Sequence, residues 1–104
     1  MTTLTLNIGL NTNDGTPAHE SITVLQYLTD NGFFVRNSET RESNTEQTLV
    51  VYCDTVHASR IYAASIALKQ DCIAVSPDGG ITGALIGPRA DKWGWTFLPV
   101  FFLP

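Results

Sequence analysis

Along the first ten residues, apolar and polar side chains alternate without a break. Leu4, Leu6, Ile8 and Leu10 fall on one side and Thr3, Thr5, Asn7 and Gly9 on the other, the period of two that marks a strand burying one face. Turn-forming residues 11–15 follow, and Thr16 before Pro17 sets an N-cap with proline in the first helical position, so the pattern predicts a helix that starts near Pro17. Ile22, Val24, Leu25 and Leu28 supply its apolar stripe, and Asn31 with Gly32 supplies a left-handed stop. Phe33, Phe34 and Val35 begin an extended segment that turns polar over residues 36–42, as expected of a strand at a sheet edge. After a turn at residues 42–46, the near-continuous run of β-branched and aromatic side chains at 48–53 predicts a strand at the sheet centre or covered on both sides.

Asp54 or Thr55 is placed to cap a second helix. Ile61, Ala64 and Leu68 mark its buried stripe, and the small Ala63, Ala64 and Ala67 allow close approach to the sheet. Residues 72–76 read as a fourth strand, 77–80 as a turn and 81–86 as a fifth strand, together a hairpin. Gly87 and Pro88 end it, residues 89–92 have room for one helical turn, and the chain is extended again from Trp95. The order β-α-β-β-α-β predicts an α+β fold: a ferredoxin-like antiparallel sheet with two helices on one face, plus a C-terminal hairpin and aromatic extension. In that plan the first and third strands are central and the fourth pairs with the first. Residues 1–104 are read as one domain, with a core at 1–86 and the extension at 87–104.

Composition narrows the function. The 104 residues carry 6 basic and 10 acidic side chains, a net charge of -4, and 15% of positions are charged where about 25% is usual. Four arginines and two lysines, scattered, do not make the basic stripe that phosphate contacts need, which argues against direct nucleic-acid binding. The opening segment has neither the basic residues nor the apolar run of a targeting signal. The longest uncharged apolar run, 93–104, falls well short of the roughly 20 residues of a membrane helix. A cytoplasmic protein with no membrane contact is expected. Cys53 and Cys72 lack zinc or redox spacing and read as small apolar residues; the proposed topology puts them two strands apart, roughly 9–10 Å, too far for a disulfide.

Catalytic chemistry finds little support. Asp54 and His57 stand three residues apart, the spacing at which a carboxylate can orient an imidazole, but capping and an ordinary first-turn histidine explain both. Cys53 and His57 form only a single pair of metal-ligand type, with His19 on the other helix. Neither a metal nor another cofactor is expected. Residues 77–80 contain glycines but no lysine and no following helix, so they are a turn and not a phosphate loop.

The end of the chain is different. Five of the ten aromatics, Trp93, Trp95, Phe97, Phe101 and Phe102, fall within ten residues, and Lys92 is the last charged side chain. Burying each such side chain contributes on the order of 1.5–3 kcal/mol, so the segment packs on its own core, on a second copy or on a partner. Arg89 with Trp93 and Trp95 also suits an anionic, ring-bearing ligand such as a nucleotide, although a terminal brace explains the same residues. Arg36 and Arg41, on the polar half of the second strand, form another candidate surface, where a partner or a second copy adds a strand. A polar edge also serves to prevent such pairing.

The segment QDCIAV at 70–75, Gly87-Pro88-Arg89-Ala90, the Trp93-Gly94 pair with its Phe-rich end, the LNIGL start and the TEQTLVV strand together resemble short uncharacterised accessory proteins of bacteriophages and integrated elements. The likeness covers most of the chain and brings no catalytic residue with it. It implies a small, soluble, cytoplasmic protein that acts by binding, either blocking a host defence machine or sequestering its nucleotide messenger. The sequence thus predicts a non-enzymatic binding protein, homodimeric or larger. Its leading role is inhibition of a host protein, and the alternative is capture of an anionic nucleotide, with Arg89, Trp93, Trp95, Phe97, Arg36 and Arg41 as the residues of contact.

Overall fold

The computed structural model describes residues 1–8, 20–42, 47–77 and 83–91. They form a small α+β unit of two helices and a five-stranded antiparallel sheet. The elements are β1 (Thr2–Asn7), α1 (Ser21–Asp30), β2 (Val35–Glu42), β3 (Gln47–Cys53), α2 (Ala58–Ala67), β4 (Ile73–Pro77) and β5 (Ala84–Ile86). Across the sheet the order is β2-β3-β1-β4-β5. β1 and β3 lie inside and β4 runs beside β1, as the sequence predicts, and β5 extends the sheet outside β4.

The register explains the core. Leu4 stands opposite Val51 and Val75, Leu6 opposite Leu49, and Thr2 opposite Cys53. Facing residues of antiparallel strands share a side of the sheet, so these apolar positions form one surface. Val24 and Leu28 of α1 and Ile61 and Ala64 of α2 close the same cluster with them. Both helices therefore cover one face. Leu49, Val50 and Val51 are all buried, in agreement with a strand covered on two sides.

α1 stops where Asn31 and Gly32 predict. Gly32 adopts φ +83, its N–H reaches the Thr29 carbonyl, and the Phe33 N–H reaches the Leu28 carbonyl at 2.9 Å, which is the Schellman pattern. The start differs. Glu20 is extended and serves as the N-cap, so α1 begins at Ser21 and not near Pro17; Thr16 and Pro17 lie outside the described residues. Ile22 is exposed, because a helix that buries Val24 and Leu28 turns position 22 outward.

α2 buries Ile61 and Ala64 as expected and packs Leu68 beneath its end, but its second small buried residue is Ser65, while Ala63 and Ala67 face solvent. Its N-cap is His57, without a side-chain cap. Neither Asp54 nor Thr55 caps the helix, since it begins only at Ala58. The fourth strand begins at Ile73, and the described part of the fifth is limited to three residues. No helix among the described residues is long and apolar enough to cross a membrane.

Candidate functional site

β2 carries four of the ten exposed charged side chains among the described residues, more than any other element. It pairs with β3 from Val35 opposite Cys53 to Glu42 opposite Gln47, with an irregularity between Val35 and Asn37. Among the described residues it has a neighbour on one side only. Arg36, Asn37, Glu39, Thr40, Arg41 and Glu42 are exposed. A strand this polar forms because β3, apolar and buried, supplies the ladder that orders it.

The register sorts its side chains. Ser38 and Thr40 face Val51 and Leu49, on the helix side. Asn37, Glu39 and Arg41 face Tyr52, Val50 and Thr48, on the opposite side. There the Tyr52 hydroxyl donates to Glu39 Oε1 at 3.0 Å, and the Arg41 guanidinium donates to the same oxygen. The hydrogen bond from Arg41, and then that from Tyr52, hold the Glu39 carboxyl below its ordinary range. The same bond to Glu39 raises the Tyr52 phenol. At the irregular end of the strand, Arg36 Nε donates to Asp54 Oδ1 at 2.8 Å, which raises the arginine further still. At the other end, the Gln47 amide donates to Glu42.

Arg89 lies across the molecule. It follows β5, its N–H bonds the Asp71 carbonyl at 3.0 Å, and its guanidinium stands 3.9 Å from the Asp71 carboxylate. Gly87 allows this crossing. A Cβ there meets the Cys72 Cα at 2.6 Å and the Asp71 carbonyl oxygen at 2.7 Å, closer than atoms pack. Four strand spacings of about 4.8 Å separate β2 from β5, roughly 19 Å. Within one protomer, therefore, the structure brings Arg36 and Arg41 onto one strand and leaves Arg89 on the far edge. Each of the three already pairs with a carboxylate. Trp93, Trp95 and Phe97 lie outside the described residues.

Asp54 is held by Arg36, and the exposed His57 begins α2. Among the described residues no three histidine, cysteine or carboxylate side chains gather as a metal site; His19 lies outside them. Both cysteines are free. β3 and β4 run parallel, each antiparallel to β1, so Cys53 at the end of one and Cys72 before the start of the other occupy opposite ends of the sheet. Their separation is thus larger than the two strand spacings expected. Burial raises both thiols, which makes them poor nucleophiles at neutral pH.

Two participants escaped sequence reading, Tyr52 and Asp71. Tyr52 was recoverable: counting back by twos from Arg41 and Glu39 and forward from Thr48 and Val50 sets it on their face once the register is known. Asp71 shows no local signal, because its partner lies 18 positions away beyond a hairpin. The site is thus a charged, exposed strand of a small α+β sheet, with a described neighbour on one side only. Comparison with family models, with curated proteins and with solved structures finds no match.

Proposed function

We propose that this chain is a non-enzymatic binding protein of ferredoxin-like plan, with β5 added, that docks through β2 by accepting an extended segment into its sheet. The inner position of β1 and β3, flanked by β2 and β4, supports the plan. The observation that carries the function is the eight-residue strand Val35–Glu42, exposed along most of its length and with a described neighbour on one side only. Unpaired N–H and C=O groups along an edge template the addition of another strand. In the setting implied by the bacteriophage resemblance, the segment belongs to a host defence protein in the cytoplasm, and binding blocks that protein. A net charge of -4 favours a basic partner.

The reading is tested by cross-linking and mass spectrometry on the complex isolated from host cells. Cross-links from residues 35–42 to one stoichiometric partner are expected. Their absence, with a partner contacting only other surfaces, removes β2 from the function. Capture of an anionic nucleotide is the weaker reading. Arg36, Arg41 and Arg89 are each matched by Asp54, Glu39 and Asp71, so an anion must displace a carboxylate to bind. A saturable rise in melting temperature with cyclic or ADP-ribose-type nucleotides would restore that alternative.

A further inference from the structure

The charges on β2 read as a pattern once the strand is turned upon itself. A two-fold axis that joins two antiparallel edges stands perpendicular to the sheet and keeps each face on its own side. Opposite residues share a face, so such a pairing is centred on a residue and never between two. Few centres are open to β2. Centring on Glu39 sets that carboxylate against its own copy, and centring on Arg41 does the same for the guanidinium. Like charges directly opposite destabilise a strand pair. Centring on Ser38 drives the ladder through the irregularity between Val35 and Asn37.

Thr40 remains. In that register Glu39 of each copy faces Arg41 of the other, twice by symmetry, on the face where Glu39 and Arg41 already meet beside Tyr52. On the helix side, Thr40 faces Thr40, a favourable β-branched pair, and Ser38 faces Glu42 with a hydroxyl to donate. No like charges stand opposite. The polar edge that guards against promiscuous pairing therefore admits one register with itself.

We infer that β2 is the seat of a homodimer, pairing antiparallel with β2 of a second copy about Thr40, with reciprocal Glu39–Arg41 contacts between the copies. The inference rests on the reading of β2 as a docking edge; a second copy and a host segment compete for that edge, so a host partner binds there only by displacing the dimer.

The test uses the full chain. Sedimentation velocity from micromolar to millimolar protein compares the native sequence with Glu39→Arg, Arg41→Glu, the double exchange, and an equimolar mixture of the two single variants, each confirmed folded by its thermal melt. The native chain is expected to dimerise, and each single variant to dissociate about tenfold more readily or beyond, from two opposed charge pairs made repulsive. The double exchange and the mixture should both recover the dimer, the mixture as a heterodimer. Added salt should weaken the native dimer. A native chain that is monomeric throughout, or a dimer indifferent to both single variants, overturns the inference.

Hydrogen exchange on dilute protein separates the two readings. Rapid exchange at the β2 N–H groups that point away from β3, in a chain that never dimerises, rejects the second copy and leaves the docking edge standing. Slow exchange at those same groups in the monomer removes both.

Discussion

Both helices end in the same hydrogen-bonded loop, yet they place different residues at its left-handed position. In α1 it is Gly32, at φ +83, and in α2 it is Lys69, at φ +57. The α2 version closes when the Lys69 N–H bonds the Ile66 carbonyl and the Gln70 N–H bonds the Ser65 carbonyl at 2.8 Å. A side chain in this region costs roughly 1–2 kcal/mol, of which glycine's larger unfolded-state entropy returns about half. Lys69→Gly is therefore expected to stabilise the fold by about 0.5–1 kcal/mol, and Gly32→Ala to destabilise it by about 1 kcal/mol. Paired urea titrations check both signs. A Cβ at Gly32 meets only the tip of Arg60 at 2.9 Å, a flexible group that can move aside, so backbone strain decides the result there. A destabilised Lys69→Gly would mean that the lysine stem contributes packing that outweighs the strain.

At the level of elements, the consequence of that strained turn is where it sets Gln70. β1 pairs with β4 only as far as Thr5 opposite Ala74, although it continues beside β3 to Asn7 opposite Thr48. The side-chain amide of Gln70 completes the ladder: its oxygen accepts from the Asn7 N–H at 3.0 Å, and its nitrogen donates to the Asn7 carbonyl. A primary amide substitutes here for the missing peptide group of a strand. Gln70→Ala leaves that donor and acceptor without their partner, a loss of about 1–3 kcal/mol, and hydrogen exchange should show the Asn7 amide losing protection while Leu4 keeps its own. α2 offers the opposite case, an element with an empty cap. His57→Asp, in extended backbone at the N-cap, is expected to raise stability by about 1 kcal/mol, read from the denaturation midpoint.

These elements also show what can be read from sequence. The strand alternation of Leu4, Leu6 and Ile8 and the Asn31-Gly32 stop are local signals, and the structure carries both. So does the polar edge at residues 36–42. Asp54 misled because its local role as a cap competes with a distant one: Arg36 reaches it across the β2–β3 register and takes the carboxylate. Thr16 and Pro17 offered a better local start for α1 than Ser21 does, and burial of Val24 and Leu28 fixes the helical face regardless of that cap. The Gln70 bridge and the Asp71–Arg89 pair depend on where the chain returns after 63 and 18 residues, which no local pattern encodes.

Across the whole molecule, the sheet is not an apolar face set against a wet one. Val50 and Ala74 lie 3% and 2% exposed, as closed off as the helix-side core. Alternation along β3 and β4 nonetheless turns them away from Val51 and Val75. Both stand opposite the half-buried Thr5, so a row across three strands is largely closed to water on the side away from α1 and α2. Next to it, on the same side, the Tyr52, Glu39 and Arg41 cluster is open. One face thus divides into a buried patch toward the middle of the sheet and a charged margin at β2. Val50→Ser tests that division. If the patch is a second core, the lost methyl contacts and the buried hydroxyl together cost about 2–4 kcal/mol, whereas Thr48→Ser on the same face, nearer solvent, should stay within about 1 kcal/mol. Urea denaturation of both variants gives the comparison. A Val50→Ser change within about 0.5 kcal/mol of the native chain, the range of ordinary surface substitutions, would mean that water reaches this face and that the molecule rests on its helix-side core alone.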